Sequence, residues 1–119
     1  MNLLVDTNII LYLLHGDQRV KELLDGENIH LSFITELELL SYPELSDSEE
    51  KEIIVLLEMS VIHDINSQVK KNCIQLRKKY SLKLPDAIIA STALSLDMMM
   101  LSNDSIFERV SELNLITYN

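Results

Sequence analysis

The sequence is poor in residues that break regular structure. Its 119 residues include two glycines, two prolines, one cysteine and no tryptophan. Long loops and interdomain linkers are therefore not expected, and the length is typical of one domain, so we expect a single domain over residues 1–119. The lone Cys73 excludes an internal disulfide. It lies among residues with helical spacing and is expected to be buried, in a protein of a reducing compartment.

Long apolar runs are absent as well. No segment approaches the roughly 20 apolar residues that a membrane-spanning helix needs. The N-terminus lacks a basic region and has Asp6 early, which is not the pattern of a secretory signal. We therefore expect a cytoplasmic protein. Because 47% of the residues are hydrophobic, the chain can still bury a substantial core.

Positive charge is scarce but concentrated. The formal net charge is −9, with 10 basic and 19 acidic residues, which argues against a general binder of phosphate backbones. Six of the ten basic residues nevertheless lie close together, namely Lys70, Lys71, Arg77, Lys78, Lys79 and Lys83. This basic stretch is interpreted either as an RNA-binding surface or as a solvated helix face. The residues alone leave both interpretations open.

Apolar patterning predicts an α/β protein. Short apolar runs predict strands ahead of Asp6 and at residues 30–33, 61–65, 98–101 and 115–117. Segments with helical spacing lie between them, including one whose start is indicated by Ser46 and Glu49. Because strands that alternate with helices form parallel sheets covered on both faces, we expect a three-layer α/β/α sandwich.

Four acidic residues follow the predicted strands or begin the predicted helices. Asp6 and Asp104 come just past strands, Glu38 lies in the first turn of a helix after another strand, and Asp86 lies in the first turn of a later helix. Each has a purely structural alternative. Asp6 suits an N-cap, Glu38 would complete a capping box with Thr35, Asp86 suits the positive end of a helix, and Asp104 suits a turn.

The joint pattern favours a metal site. The carboxyl ends of parallel strands meet at one edge of the sheet, where α/β proteins bind their ligands. Clustered carboxylates repel one another unless a cation binds among them, and all-oxygen ligand sets suit Mg²⁺ or Mn²⁺. Such ions lower the pKa of bound water and stabilise charge on a phosphodiester. Zinc is not expected, because His15, His30 and His63 lack zinc-ligand spacing.

Four motifs resemble those of the PIN domain family in their order and spacing. They are LVDTN at 4–8, SFITELEL at 32–39, LPDAIIA at 84–90 and SND at 102–104. The resemblance covers essentially the whole chain and is greatest to the VapC-type toxins of bacterial toxin–antitoxin pairs. It implies a parallel sheet of five strands and an endoribonuclease that depends on Mg²⁺ or Mn²⁺. The implied catalytic and metal-binding acids are Asp6, Glu38, Asp86 and Asp104.

The resemblance also selects among neighbouring residues. Glu38 is preferred to Glu36, and a rotation of about 100° per helical residue prevents both from pointing into one pocket. The residues matching those that support such a site are Thr7, Asn8 and Ser102. With Asp6 as a ligand, the cap of the first helix is expected to be Thr7 or Asn8. Many relatives carry a further Asp two positions beyond Asp104, where this chain has Ile106.

We therefore expect RNA as substrate, an antitoxin protein as partner and a homodimer. Metal-activated water would attack the phosphodiester in line, and the residues that would contact the RNA backbone are Lys70, Lys71, Lys78, Lys79 and Lys83. The alternative is a non-catalytic binding module with the same fold. A Mg²⁺-dependent phosphatase is less consistent with the sequence, because Asn8 stands where such enzymes usually have a second Asp.

Overall fold

The computed structural model describes all residues 1–119 and consists of one sheet with helices on both faces. The strands are β1 (Asn2–Val5), β2 (Asn28–Ser32), β3 (Val61–His63), β4 (Met99–Ser102) and β5 (Leu115–Thr117). The helices are α1 (Thr7–Leu14), α2 (Gln18–Leu24), α3 (Phe33–Leu40), α4 (Asp47–Glu58), α5 (Ser67–Tyr80) and α6 (Leu84–Ser95), followed by a 3-10 helix at Ser105–Arg109. None of the helices is long and apolar enough to cross a membrane.

The sheet is parallel throughout, with the strand order β3-β2-β1-β4-β5. The chain builds outward from β1 to β3 and then returns to add β4 on the other side of β1. The strand order therefore reverses between β1 and β4. In open α/β sheets, ligands bind outside the carboxyl ends of the strands at such a reversal.

Side chains of the central strands alternate between two core clusters, because successive residues of a strand point to opposite faces. Leu4 and Met100 pack with the residues of α5 and α6. Leu3, Val5 and Leu101 pack on the other face with the residues of α1 to α4. The predicted three-layer α/β/α sandwich with five parallel strands is confirmed.

The hairpin of α5 and α6 brings the start of α6 to the carboxyl edge of the sheet. Ser81 ends α5 in the left-handed conformation (φ 56°), and α6 begins three residues later. Ala87, Ala90 and Ala93 are fully buried along α6, since small side chains allow the helix to approach its neighbours closely. Cys73 of α5 is buried in the same cluster, as predicted.

Two predicted helix starts have different outcomes. The capping box of Ser46 and Glu49 is confirmed, with reciprocal hydrogen bonds of 3.1 Å each. The capping box of Thr35 and Glu38 is wrong. Helix α3 begins at Phe33, because Ser32 ends β2 and caps the helix by accepting from the Ile34 N–H at 3.1 Å. Strand and helix thus follow one another without a loop.

Candidate active site

The four predicted acids line one cavity of about 260 Å³ at the carboxyl edge of the sheet, and Glu36 does not line it. Asp6 follows β1, Asp104 follows β4, Glu38 lies on α3 directly after β2, and Asp86 lies in the first turn of α6. The other lining residues are Thr7, Asn8, Leu11, Tyr42 and Ile89. The fold therefore brings together carboxylates that are separated by up to 98 residues in the sequence.

Asp6 is buried, with 6% of its surface exposed, and both of its carboxylate oxygens accept hydrogen bonds. Oδ1 accepts from the Thr7 N–H at 2.8 Å, and Oδ2 accepts from the Ser102 hydroxyl at 2.8 Å. Asp6 is itself the N-cap of α1, so the prediction that Thr7 or Asn8 would be the cap is wrong. A carboxylate has about four lone-pair directions, so capping still leaves capacity for a further ligand.

Ser102 connects the two acids at the ends of the central strands. Its hydroxyl donates to Asp6 and accepts from the Asp104 N–H at 3.0 Å. The Asp104 Oδ1 atom in turn accepts from the Ile106 N–H at 3.0 Å and caps the 3-10 helix. Ser102 therefore orients the side chain of Asp6 and fixes the backbone at Asp104.

Thr7 links β1 to the glutamate of α3. Its hydroxyl donates to Glu38 Oε1 at 2.8 Å and lies 3.0 Å from the buried Thr35 hydroxyl. Asn8 lines the cavity and is exposed. Together with the contacts of Ser102, those of Thr7 give a continuous hydrogen-bonded chain from Asp104 through Asp6 to Glu38. Such partners orient carboxylates for a ligand.

Asp86 differs from the other three acids, because its side chain forms no hydrogen bond with the protein. It is half-buried in the first turn of α6. Burial is the main cause that raises the pKa of Asp86, and the charges of Asp104 and Glu38 raise it further. Lys83 opposes this shift, so this lysine lies near enough to affect the charge of the cavity.

The ionised form of Asp6 is also disfavoured by its surroundings. Burial raises the pKa of Asp6 from 3.8 to about 6, and the charges of Asp86 and Asp104 add to the increase. The hydrogen bonds from Ser102 and Thr7 act in the opposite direction. Desolvation and like charges both disfavour ionised carboxylates. A proton or a cation bound in the cavity would therefore stabilise the folded protein at this point.

The donor set fits a hard divalent cation, since it contains only oxygen ligands. The side chains do not form a ready-made cluster, however: no group of three or more His, Cys, Asp or Glu side chains is arranged to hold a metal ion. Asp6 and Asp104 are directed to their hydrogen-bond donors. Glu38 is exposed and accepts one hydrogen bond, from Thr7, whereas Asp86 accepts none, so Asp86 is the side chain most free to turn toward an ion.

The basic stretch is divided by the helix hairpin. Asn72 of α5 bonds to Ser95 at the far end of α6, whereas Arg77 bonds to the carbonyl of Leu82, next to Lys83. The end of α5 near the cavity therefore carries Lys78 and Lys79, and Lys79 is paired with Glu112 at 3.4 Å. The lysines at the opposite end, about 12 Å away along the helix axis, are Lys70 and Lys71.

Tyr42 is a cavity residue that was not predicted from the sequence. It follows the end of α3, and its side chain lines both the acidic cavity and an adjoining groove of about 250 Å³. No periodicity or motif marks it, because it stands in a short connection before Pro43. An aromatic residue just beyond a helix that carries a candidate ligand is the only signal that could have found it.

Comparison with known proteins places the whole chain among related folds. A family model described as PIN domain matches residues 3–113. A chain of a toxin–antitoxin complex from Klebsiella pneumoniae is 27% identical with a TM-score of 0.84, over 97% of this chain and 96% of that chain. A chain of VapBC-1 from nontypeable Haemophilus influenzae is 27% identical with a TM-score of 0.79, over 98% of both chains.

A further solved structure shares the fold at lower identity. A chain of VapBC2 from Rickettsia felis, bound to a DNA fragment from their promoter, is 23% identical with a TM-score of 0.85 over the full length of both chains. At this identity the likeness establishes the fold alone. No curated protein sequence matches the chain.

Proposed function

The chain belongs to the PIN domain family, and from this premise we propose that it is a metal-dependent endoribonuclease, the toxin of a type II toxin–antitoxin pair. The observation that carries the proposal is the meeting of four carboxylates from four separate segments in one cavity. The cavity lies where the strand order reverses, and two of its acids have a raised pKa. A site built only for stability has no need of such repulsion.

We propose that the ligands of Mg²⁺ or Mn²⁺ are Asp6, Glu38, Asp86 and Asp104. When bound, the ion would supply an acidified water and stabilise charge on the phosphodiester. The contribution of the chain is orientation: Ser102 and Thr7 hold Asp6, and Thr7 also holds Glu38. Asp86 completes the set with a side chain that is free to adjust.

The RNA backbone needs cations beside this acidic cavity. We propose that it contacts the basic stretch, of which Lys83 lies close enough to Asp86 to oppose the rise in the pKa of that carboxyl. The remaining members are Lys70, Lys71, Lys78 and Lys79. Counterions released from RNA phosphates by these lysines would provide salt-dependent affinity.

We also propose two protein partners. One is a cognate antitoxin that occludes the cavity, and the similarity to a chain of the Klebsiella toxin–antitoxin complex supports an antitoxin as partner. The other is a second copy of the chain. Both are testable by co-expression with the neighbouring reading frame and by light scattering of the purified protein.

The direct test of the enzymatic activity uses Asp6→Asn, which keeps the N-cap while removing the charge. Purified wild type and variant are incubated with a structured RNA in Mn²⁺, in Mg²⁺ and in EDTA. We expect cleavage by the wild type only with metal, and a loss of more than about 100-fold in the variant. Cleavage products are resolved by denaturing electrophoresis.

The matched control is Asp25→Asn, because Asp25 is exposed at the end of α2 and does not line the cavity. This variant should cleave like the wild type. Equal cleavage by Asp6→Asn would instead indicate a contaminating nuclease. If the wild type cleaves nothing under any condition but still binds an antitoxin, the chain is a non-catalytic binding module.

A further inference from the structure

Tyr42 stands out among the aromatic residues of the chain, because nothing in the protein fixes it. Half of its surface is exposed, and its hydroxyl forms no hydrogen bond with the protein. The other tyrosines have partners: Tyr12 accepts from Asn103, Tyr80 donates to Glu112, and Tyr118 donates to Asp17. The two phenylalanines, Phe33 and Phe107, pack in the core.

The exposed ring of Tyr42 lies next to the candidate active site. A single exposed aromatic ring is ordinary on a protein surface, but this ring forms part of the wall of the acidic cavity. It lies between that cavity and the adjoining groove, and Leu11 is the other residue that lines both. A phosphate placed among the carboxylates would therefore have this ring close by.

Resting on the proposed nuclease function, we propose that Tyr42 is the stacking surface for a nucleobase next to the scissile phosphate. An aromatic ring at this point can add affinity for the substrate without adding charge to the cavity. Stacking of a base on an aromatic ring contributes about 5- to 150-fold in affinity and tolerates different bases. RNA is read in this way where its bases are unpaired.

The adjoining groove is consistent with a single ring as occupant. Its volume of about 250 Å³ lies below the roughly 300–1,000 Å³ of pockets for drug-sized ligands. A space of this size can take one base. A protein segment that covers the same ring is the competing occupant, and the experiment distinguishes the two.

The experiment begins with a pool of RNA hairpins whose loops are randomised, from which the sequence best cleaved by the wild type is chosen. KM and kcat on this RNA are then measured for Tyr42→Ala, Tyr42→Leu and Tyr42→Phe. We expect about a tenfold increase in KM for Ala and a smaller one for Leu, which keeps bulk but lacks the ring. Phe should restore KM to within about twofold, because the hydroxyl has no partner.

Two further measurements separate stacking from other roles. The effect of Tyr42→Ala should not change between low and high salt, since stacking releases no counterions. It should also vanish on an RNA that is abasic at the nucleotide contacted by the ring. The control is Met59→Ala, because Met59 is 80% exposed after the end of α4 and does not line either cavity.

The outcomes distinguish this inference from the function on which it rests. If the wild type cleaves no RNA, the proposed function fails and the stacking role fails with it. If the wild type cleaves RNA and a correctly melting Tyr42→Ala variant has an unchanged KM, only the stacking role is overturned. An unchanged KM together with weakened antitoxin binding would assign the ring to the protein interface.

Discussion

The two sides of the acidic cavity are built differently. On the side of β1 and β4, Asp6 is buried and both of its oxygens accept hydrogen bonds from neighbouring residues. On the side of α6, Asp86 is half-buried and has no hydrogen-bond partner in the protein. Burial is the largest cause of a raised pKa at both residues, so the difference lies in what opposes it.

At Asp6 the opposing influence is a pair of fixed hydrogen bonds from Ser102 and Thr7, whereas at Asp86 it is the charge of Lys83. Hydrogen bonds hold a carboxylate in one orientation, but a nearby exposed charge does not. We infer that the side of Asp6 is preorganised and that the side of Asp86 adjusts when a ligand binds. Preorganised groups lose less side-chain entropy on binding.

The largest expected effects come from neutralising each side in turn. Asp6→Asn and Asp86→Asn should each reduce cleavage by more than about 100-fold, but their stabilities in EDTA should differ. Asp6→Asn removes a buried charge and keeps an oxygen for the N-cap, but its amide cannot accept both hydrogen bonds of the carboxylate. It should therefore stabilise the protein at pH 7 by less than the roughly 3 kcal/mol that corresponds to a pKa shift from 3.8 to about 6. Thermal melts of the three proteins measure this difference. A larger stabilisation by Asp86→Asn would reverse the comparison.

The same comparison has a pH dependence in metal-free protein. The pKa of Asp6 is about 6 in the folded state against an ordinary 3.8, so the native state binds this proton more tightly than the unfolded state. Its contribution to stability is present below pH 3.8 and is lost as the pH rises to about 6. In EDTA, the melting temperature of the wild type relative to that of Asp6→Asn should therefore fall over this interval. Added Mg²⁺ should reduce the fall.

A smaller effect is expected from removing a hydrogen bond on the side of Asp6 without changing the charge of the cavity. Thr7→Val preserves shape but removes the hydroxyl that contacts Glu38 and Thr35. Loss of such a supporting contact should lower Mn²⁺ affinity or activity about 10- to 100-fold. Calorimetric titration with Mn²⁺ and cleavage rates measure both.

The control for this substitution is Thr92→Val. Thr92 is also buried, but its hydroxyl donates to the Ile88 carbonyl within α6, away from the cavity. It should change stability without changing metal affinity. If both variants lose metal affinity to the same extent, Thr7 acts only through stability.

The smallest effects are expected from replacing the lysines. The effect of each lysine on RNA binding should decrease with its distance from Asp86. Lys83→Gln should weaken RNA binding and reduce the slope of log affinity against log salt by about 0.7. The double variant Lys70→Gln, Lys71→Gln lies at the far end of α5 and should change the slope less per residue. Binding titrations at several salt concentrations measure these slopes. An equal change in slope per lysine would instead indicate an RNA-binding surface along the whole of α5.

The fold could be predicted closely because its signals are local. Alternating apolar residues set the two faces of β1, and Ser46 and Glu49 determine the start of α4 through contacts three residues apart. The order of strands and helices then leaves few parallel arrangements. The start of α3 is not fixed by local signals, because both Ser32 and Thr35 suit an N-cap. The end of β2 selects Ser32.

Contacts between strands were beyond the sequence patterns. His30 and His63 are far apart in the sequence and lack zinc-ligand spacing. In the structure, however, Nδ1 of His30 lies 2.8 Å from Nε2 of His63 across neighbouring strands. The register pairs Ser32 with His63, two residues from His30, so both rings lie on one face. Thr7 and Glu38 meet for the same reason, since pairing of β1 with β2 places α1 beside α3, where Glu38 lies in the second turn.

The sequence by itself determined the family, the fold class and the four acids of the proposed site, because each acid stands in a short motif next to an element boundary. The tertiary structure decided how the acids differ. Asp6 both caps α1 and faces the cavity, Ser102 and Thr7 hold one side, and Tyr42 lines both the cavity and the groove. These properties depend on burial and on hydrogen bonds between distant segments, which no local pattern of residues encodes.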